Sequence, residues 1–177
     1  ETYKDNIFHR SVTANSLKII QSGSFFISEN KLSSNITSNP IINEPGIANE
    51  RGTIAYARTS NPDSATSGWY INGGDSSGLD VGDSYTVFGR ATKESLPIID
   101  SIQEMSTGTF NLNINGQTTS VDDFPTNDGL EPNLSTKENI AIVENIEIIK
   151  PLDYEIISVT DSNIARLSIT SDEDNSE

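Results

Sequence analysis

Few side chains in this sequence could do chemistry. One histidine, His9, adjoins an arginine, Arg10, at what reads as the end of a strand. Three aspartates, Asp75, Asp80 and Asp83, share a glycine-rich loop. There are no cysteines, which excludes disulfide frameworks, zinc–thiolate sites and thiol catalysis. A Ser-His nucleophile would need partners that no motif supplies, so His9 reads as a structural residue beside Phe8. The aspartate spacing does not match the EF-hand pattern, and the loop reads as a solvated acidic turn with no metal. An arginine at a strand end is ordinarily a surface residue. It is also always protonated and carries several donors, so it can serve a developing lone pair while anchored to a neighbour.

The elements that must position these residues are mostly strands. Asn6–Val12 and Leu17–Ile27 are rich in Ile, Phe and Val and predict strands joined by the turn Thr13–Ser16. Further strands are predicted at Gly52–Arg58, Trp69–Asn72, Tyr85–Arg90 and Ile140–Ile149, with loops at Ser33–Pro45, Thr59–Ser67 and Gly73–Ser84. Leu96–Met105 is the one helix candidate: Ser95 precedes it, Pro97 is tolerated in its first turn, and Leu96, Ile99 and Ile102 repeat at helical spacing. Thr107–Glu138 reads as turn-rich, with Asn115-Gly116 as a hairpin tip. Pro151 marks a boundary, after which Glu155–Val159 and Ile164–Ile169 are strand-like and Ser171–Glu177 is acidic and polar. The expected architecture is mainly β: a closed or nearly closed antiparallel barrel capped by one short helix. Residues 1–150 form the domain, and 151–177 are a β-hairpin tail or the start of a further module.

The 177 residues carry a net charge of −15, from 26 acidic and 11 basic side chains. A field of that sign repels phosphate backbones and anionic head groups, so nucleic acid and membrane surfaces are poor partners. No apolar run approaches membrane-spanning length. The chain opens on Glu1 and Thr2 and reads as a processed or excised piece of an exported protein, any targeting segment lying upstream.

Several strings then resemble one family. Tyr3-Lys4-Asp5-Asn6-Ile7-Phe8-His9-Arg10 resembles the cyclophilin segment ending in Phe-His-Arg, and Ile20-Gln21-Ser22-Gly23-Ser24-Phe25 resembles its Gln-Gly-Gly strand. Asn43-Glu44 with Glu50-Arg51-Gly52-Thr53-Ile54-Ala55-Tyr56-Ala57-Arg58-Thr59 is similar to the bacterial form of the central segment, continued by Ser60–Ser67. Trp69-Tyr70-Ile71-Asn72, Leu79-Asp80 and Tyr85-Thr86-Val87-Phe88-Gly89-Arg90 complete the set, over about Tyr3 to Ile149. The resemblance implies a cyclophilin-like antiparallel β-barrel and peptidyl-prolyl cis/trans isomerase activity, without cofactor or metal. It implies Arg10 as the catalytic donor, Gln21 positioning the substrate backbone, and Ile19, Tyr70 and Leu79 lining a proline pocket. Ala57 would supply backbone contact, Tyr85 the rim, and Phe8 a further substrate contact. Proline-containing polypeptides are the implied partners. Cyclosporin-like ligands are left open, because residue types differ at several pocket positions.

The differences are specific. Thr13–Ser16 lengthens the Arg10–Gln21 connection, Lys18 replaces an aromatic and Ile19 a thioether, Gly68 replaces a glutamine, and the pocket floor is Tyr70 instead of Phe. Only nine residues precede Arg10, whereas the family has a hairpin and a helix there. The tail Glu155–Ile169 is one candidate for the edge this leaves vacant. These departures motivate a second reading: a weakly catalytic module that binds proline segments, or a scaffold, within an exported multidomain protein. The acidic loops motivate a weaker third, calcium-dependent adhesion.

Overall fold

A computed structural model describes residues 3–14, 16–35, 39–82 and 84–149, together with the backbone of Ile164–Thr170. Twelve strands follow one another in a single hydrogen-bonded order. They are β1 (Asn6–Ile7), β2 (Arg10–Ala14), β3 (Leu17–Ser22), β4 (Phe25–Ser28), β5 (Lys31–Ser34), β6 (Thr53–Tyr56) and β7 (Trp69–Asn72). After these come β8 (Val87–Ala91), the helix α1 (Leu96–Gln103), β9 (Ser106–Ile114), β10 (Gln117–Thr126), β11 (Ile142–Ile149) and β12 (Ile164–Thr170). Spatially the order is β10-β9-β5-β4-β1-β11-β12-β8-β6-β7-β3-β2. Most neighbours are antiparallel; β5 with β9 and β11 with β12 are parallel. The order does not close on itself. β2 and β10 are its two edges, joined side chain to side chain by Arg10 and Asp123.

Both strands expected near the start are divided. The first breaks at Phe8-His9, because the chain there passes from one half of the sheet to the other. Asn6 and Ile7 pair with β11, whereas Arg10–Ala14 pair with β3. The Phe8 amide donates to the Ala141 carbonyl at 3.0 Å and the His9 amide to the Gln21 carbonyl at 3.1 Å, so this crossing holds the halves together. Thr13 and Ala14, expected in the turn, extend β2 opposite Lys18 and Leu17. The second strand breaks at Gly23, whose φ of +83° lies in the left-handed region. A Cβ there would overlap the Ser67 carbonyl oxygen and lie 2.6 Å from Trp69 Cδ1.

Three strands differ from expectation. β5 occupies the start of the predicted Ser33–Pro45 loop, and β9 and β10 occupy much of the stretch read as turns. Their hairpin turns at Asn115-Gly116, both at positive φ, as such a tip requires. The predicted strand Ile164–Ile169 is β12, lodged between β11 and β8. Glu155–Val159 and the Pro151 boundary lie outside the described residues.

Burial divides the interior into clusters that follow strand parity. Phe8, Ile20, Ile54, Trp69 and Ile71 pack against Ile99 and Ile102 of α1. Each such side chain removed from water contributes about 1.5–3 kcal/mol. The other half of the sheet encloses Ile7, Ile27, Leu32, Leu112, Phe124 and Ile142. Arg51 fixes α1 to the β6 side by donating to Asp100 Oδ1 and Oδ2 at 2.7 and 2.8 Å, which holds the Asp100 carboxyl below the ordinary carboxylate range.

Because Gly23 combines a left-handed backbone with a close approach to Trp69, Gly23→Ala should destabilise the fold by about 2–5 kcal/mol. A thermal melt would register this as a fall on the order of 10 °C. An unchanged midpoint would contradict the packing of Gly23 beneath the indole.

Candidate active site

The face of the sheet away from α1 carries a second register row. Arg10 is the Cα partner of Gln21, Gln21 of Tyr70, Tyr70 of Ala55 and Ala55 of Val87. Partners directly across a ladder project from the same face, so these five side chains stand in line across β2, β3, β7, β6 and β8. One step along, Val12 partners Ile19. The alternate residues Ser11, Ile20, Ile71 and Ile54 form the corresponding row on the α1 face.

Of the residues singled out from the sequence, Ile19, Ala57, Tyr70, Leu79 and Tyr85 come together in one apolar cluster with Ala55 and Val87. Leu79 reaches it from a short 3-10 turn, Ser77–Asp80, in the predicted acidic loop. Arg10 and Gln21 are half-buried at the end of the same row. Phe8 does not join them. It is 1% exposed on the opposite side, edge-on to Trp69 at 5.7 Å, because the crossing between β1 and β2 turns it into the α1 core. Lys18 is exposed and its aliphatic stem lies along Gly74, outside the cluster.

The hydroxyl that Tyr70 carries into this buried cluster has a partner. Tyr70 Oη donates to Asn49 Oδ1 at 2.8 Å, and Asn72 Nδ2 donates to the same oxygen at 3.1 Å. Asn49 in turn donates from Nδ2 to Asp80 Oδ1 at 2.7 Å and from its backbone amide at 3.0 Å. Asp80 is therefore committed to Asn49, and Asp75 accepts from the Ser77 amide at 3.0 Å. Asp83 lies outside the described residues, and among those described no cluster of three metal-ligating side chains occurs. Burial, with Tyr85 and Asp80 nearby, pushes the Tyr70 phenol well above its usual range and keeps it a neutral donor.

Arg10 donates from Nε to Asp123 Oδ2 at 3.3 Å, each side chain being about two-fifths exposed. An ion pair that exposed contributes ~0–1 kcal/mol. Asp123 occupies a β-bulge between Val121 and Phe124, with φ of +54°, a left-handed conformation that costs a non-glycine residue about 1 kcal/mol or more. The pair therefore adds little to stability. Beside the row opens a groove of about 340 Å³ lined by Gln21, Phe25, Asn35, Ala57, Arg58 and Thr66, among others. The Arg58 guanidinium covers the Tyr85 ring at 4.1 Å.

Sequence reasoning missed Asn49, Asp123 and the groove. Asn49 stands in the gap between two of the matching strings, and its only signal was proximity to them. Asp123 is 113 residues from Arg10 and had none. His9, read from the sequence as a satisfied structural residue, is buried, and its Nδ1 has no hydrogen-bond partner among the described residues. It stacks edge-on against Phe25 at 5.0 Å.

Arg10 and Gln21 thus share one face of the β-sheet with the apolar cluster of Ile19, Tyr70 and Leu79. The sequence profile described as cyclophilin type peptidyl-prolyl cis-trans isomerase/CLD matches residues 1–124. The chain belongs to that family. It is 42% identical over 118 residues to a peptidyl-prolyl cis-trans isomerase of Acinetobacter baylyi, covering 64% of this chain and 59% of that protein. Peptidyl-prolyl cis-trans isomerase A of Dickeya dadantii is 37% identical, covering 59% and 54%. Peptidyl-prolyl cis-trans isomerase B of Escherichia coli is 35% identical, covering 60% and 65%. The chain thus spans between about half and two thirds of the length of these relatives. A crystal structure of a cyclophilin-type isomerase from Cryptosporidium parvum, obtained in the presence of the dipeptide Ala-Pro, aligns with a TM-score of 0.41 and 19% identity, over 70% of this chain and 75% of that one.

Two outcomes follow from the buried polar groups. Removing Asn49 strands the Tyr70 hydroxyl, so Asn49→Ala should cost about 1–3 kcal/mol in urea unfolding, and adding Tyr70→Phe should return part of it. No recovery in the double variant would mean that the hydroxyl is satisfied another way. For His9, burial lowers the pKa from 6.5 to about 4. Between those values the unfolded chain binds the proton and the folded one does not, so stability falls as pH drops from 6.5 toward 4. The penalty reaches about 3 kcal/mol. His9→Phe should remove that part of the acid sensitivity, and parallel stability–pH curves for the two proteins would refute it.

Proposed function

We propose that this domain accelerates cis/trans isomerisation of peptidyl-prolyl bonds in proline-containing polypeptides. The observation that carries the reading is the single row in which Arg10, Gln21 and Tyr70 are successive register partners, with Ile19 and Leu79 in the same apolar cluster as Tyr70. Membership of the isomerase family and the names of the bacterial relatives support it.

The chemistry asks for little beyond these groups. Conjugation of the nitrogen lone pair with the carbonyl sets a barrier of about 18–20 kcal/mol. A catalyst needs only to favour the twisted state, in which the prolyl nitrogen has become pyramidal and a better hydrogen-bond acceptor. The proline ring occupies the slot of Ile19, Tyr70 and Leu79, so that the acyl side alone rotates. Gln21, between Arg10 and Tyr70, holds the substrate backbone. Arg10 donates to the prolyl nitrogen as its lone pair localises, and no proton changes hands. Tyr70, with its hydroxyl committed to Asn49, presents the ring to the slot and keeps its polar atom out of it.

Exchange spectroscopy on an Ala-Pro-containing peptide tests this. The protein should raise the cis/trans exchange rate, and Arg10→Ala should lower kcat/KM about a hundredfold, the cost typical of removing one transition-state donor. Peptide-induced shifts at Tyr70 and Leu79 should persist in the variant. Exchange unaffected by the protein, or equally accelerated by Arg10→Ala, overturns the proposal.

A further inference from the structure

We infer that Asp123 is a positioning residue for Arg10, fixing the direction in which the guanidinium offers its remaining donors. The inference rests on the isomerase reading above and extends it to an element 113 residues away in sequence.

Arg10 sits on β2, an edge strand, so no strand beyond it shapes its surroundings by ladder pairing. The other edge, β10, is brought alongside and supplies the constraint. In a regular strand Asp122 and Asp123 would point to opposite faces. The bulge between Val121 and Phe124 interrupts that alternation, and the left-handed backbone of Asp123 accompanies it. The two neighbouring carboxylates then have separate tasks. Asp122 Oδ1 accepts from Thr109 Oγ1 at 2.9 Å, within the β9–β10 hairpin, whereas Asp123 Oδ2 accepts from Arg10 Nε at 3.3 Å, across the open edge.

The atom used matters. An arginine has five N–H donors in a rigid planar fork. A carboxylate on Nε takes one and leaves the four on the two terminal nitrogens uncommitted to any described residue. A flexible, two-fifths-exposed side chain is thereby held by one edge of its fork while the other stays available. So exposed a pair contributes little to conformational stability, and the consequence of its geometry is the orientation of Arg10.

The test compares Asp123→Ala and Asp123→Asn with the unchanged protein, and repeats Asp123→Ala in the Arg10→Ala background, by exchange spectroscopy and thermal melting. Loss of positioning should lower kcat about tenfold with KM within about twofold, the pattern of a lost transition-state interaction. Asn keeps an acceptor oxygen and should recover much of that loss. The melting midpoint should stay near that of the unchanged protein, and without Arg10 the Asp123 substitution should cost nothing more. Several results overturn the assignment. Full activity in Asp123→Ala while Arg10→Ala is impaired leaves the isomerase reading standing and removes Asp123 from it. A gain in kcat makes the pair a restraint instead. A loss that tracks a fallen midpoint, or that Asn fails to recover, makes Asp123 structural. If Arg10→Ala is itself as active as the unchanged protein, the isomerase reading falls first and the role of Asp123 with it.

Discussion

The register of β3 against β2 on one side and β7 on the other is the constraint on which the arrangement of both faces depends. With Gln21 opposite both Arg10 and Tyr70, a cation, an amide and an aromatic ring share one face, and Ile20, Ile54 and Ile71 share the other. Strand parity makes this an all-or-none choice, because a slip of one residue exchanges the two faces. The guanidinium would then be driven toward the Ile99 and Ile102 side, where an unpaired charge is intolerable. The packing of α1 thus secures the site indirectly: the same apolar contacts that fill the core forbid the misregister that would dismantle the row.

A second constraint is the polar network beneath the slot. Asn49 is 1% exposed and collects Tyr70, Asn72 and Asp80 around a single side chain. Buried polar groups of this kind are costly when left unpaired; the bonds to Asn49 link three distant segments, while Asn72 Oδ1 has no partner among the described residues. Tyr70, Leu79 (next to Asp80) and the approach to β6 are therefore set as a unit. The Tyr70 hydroxyl is accommodated by its buried neighbour Asn49.

Much of this was legible in the sequence wherever local signals agreed. β7 begins and ends where the aromatic and Asn residues of Trp69–Asn72 indicate, α1 follows the spacing of Leu96, Ile99 and Ile102, and Asn115-Gly116 makes the expected tip. The strands around that tip were read as turns. Their Thr, Asn, Ser and Gly content outweighed the alternation of Phe110, Leu112 and Ile114, which reports a strand buried on one face only. The break at Phe8-His9 was invisible because both sides of it look like the same strand; only pairing with two different partners divides them. Phe8 accordingly reads as part of the Phe-His-Arg string yet belongs to the core. Contacts such as Arg10 with Asp123 arise from tertiary geometry alone.

The crossing between β1 and β2 has a consequence for how the chain is made. Asn6 and Ile7 find their backbone partners at Val143 and Ile142, and Phe8 reaches Ala141. β1 has β4 as a near antiparallel neighbour in the chain, whereas its other edge pairs with β11, far later in the sequence. Loop closure over so many residues is entropically slow, so the β4 side of β1 can form before the β11 side, and one edge of β1 stays open until β11 arrives.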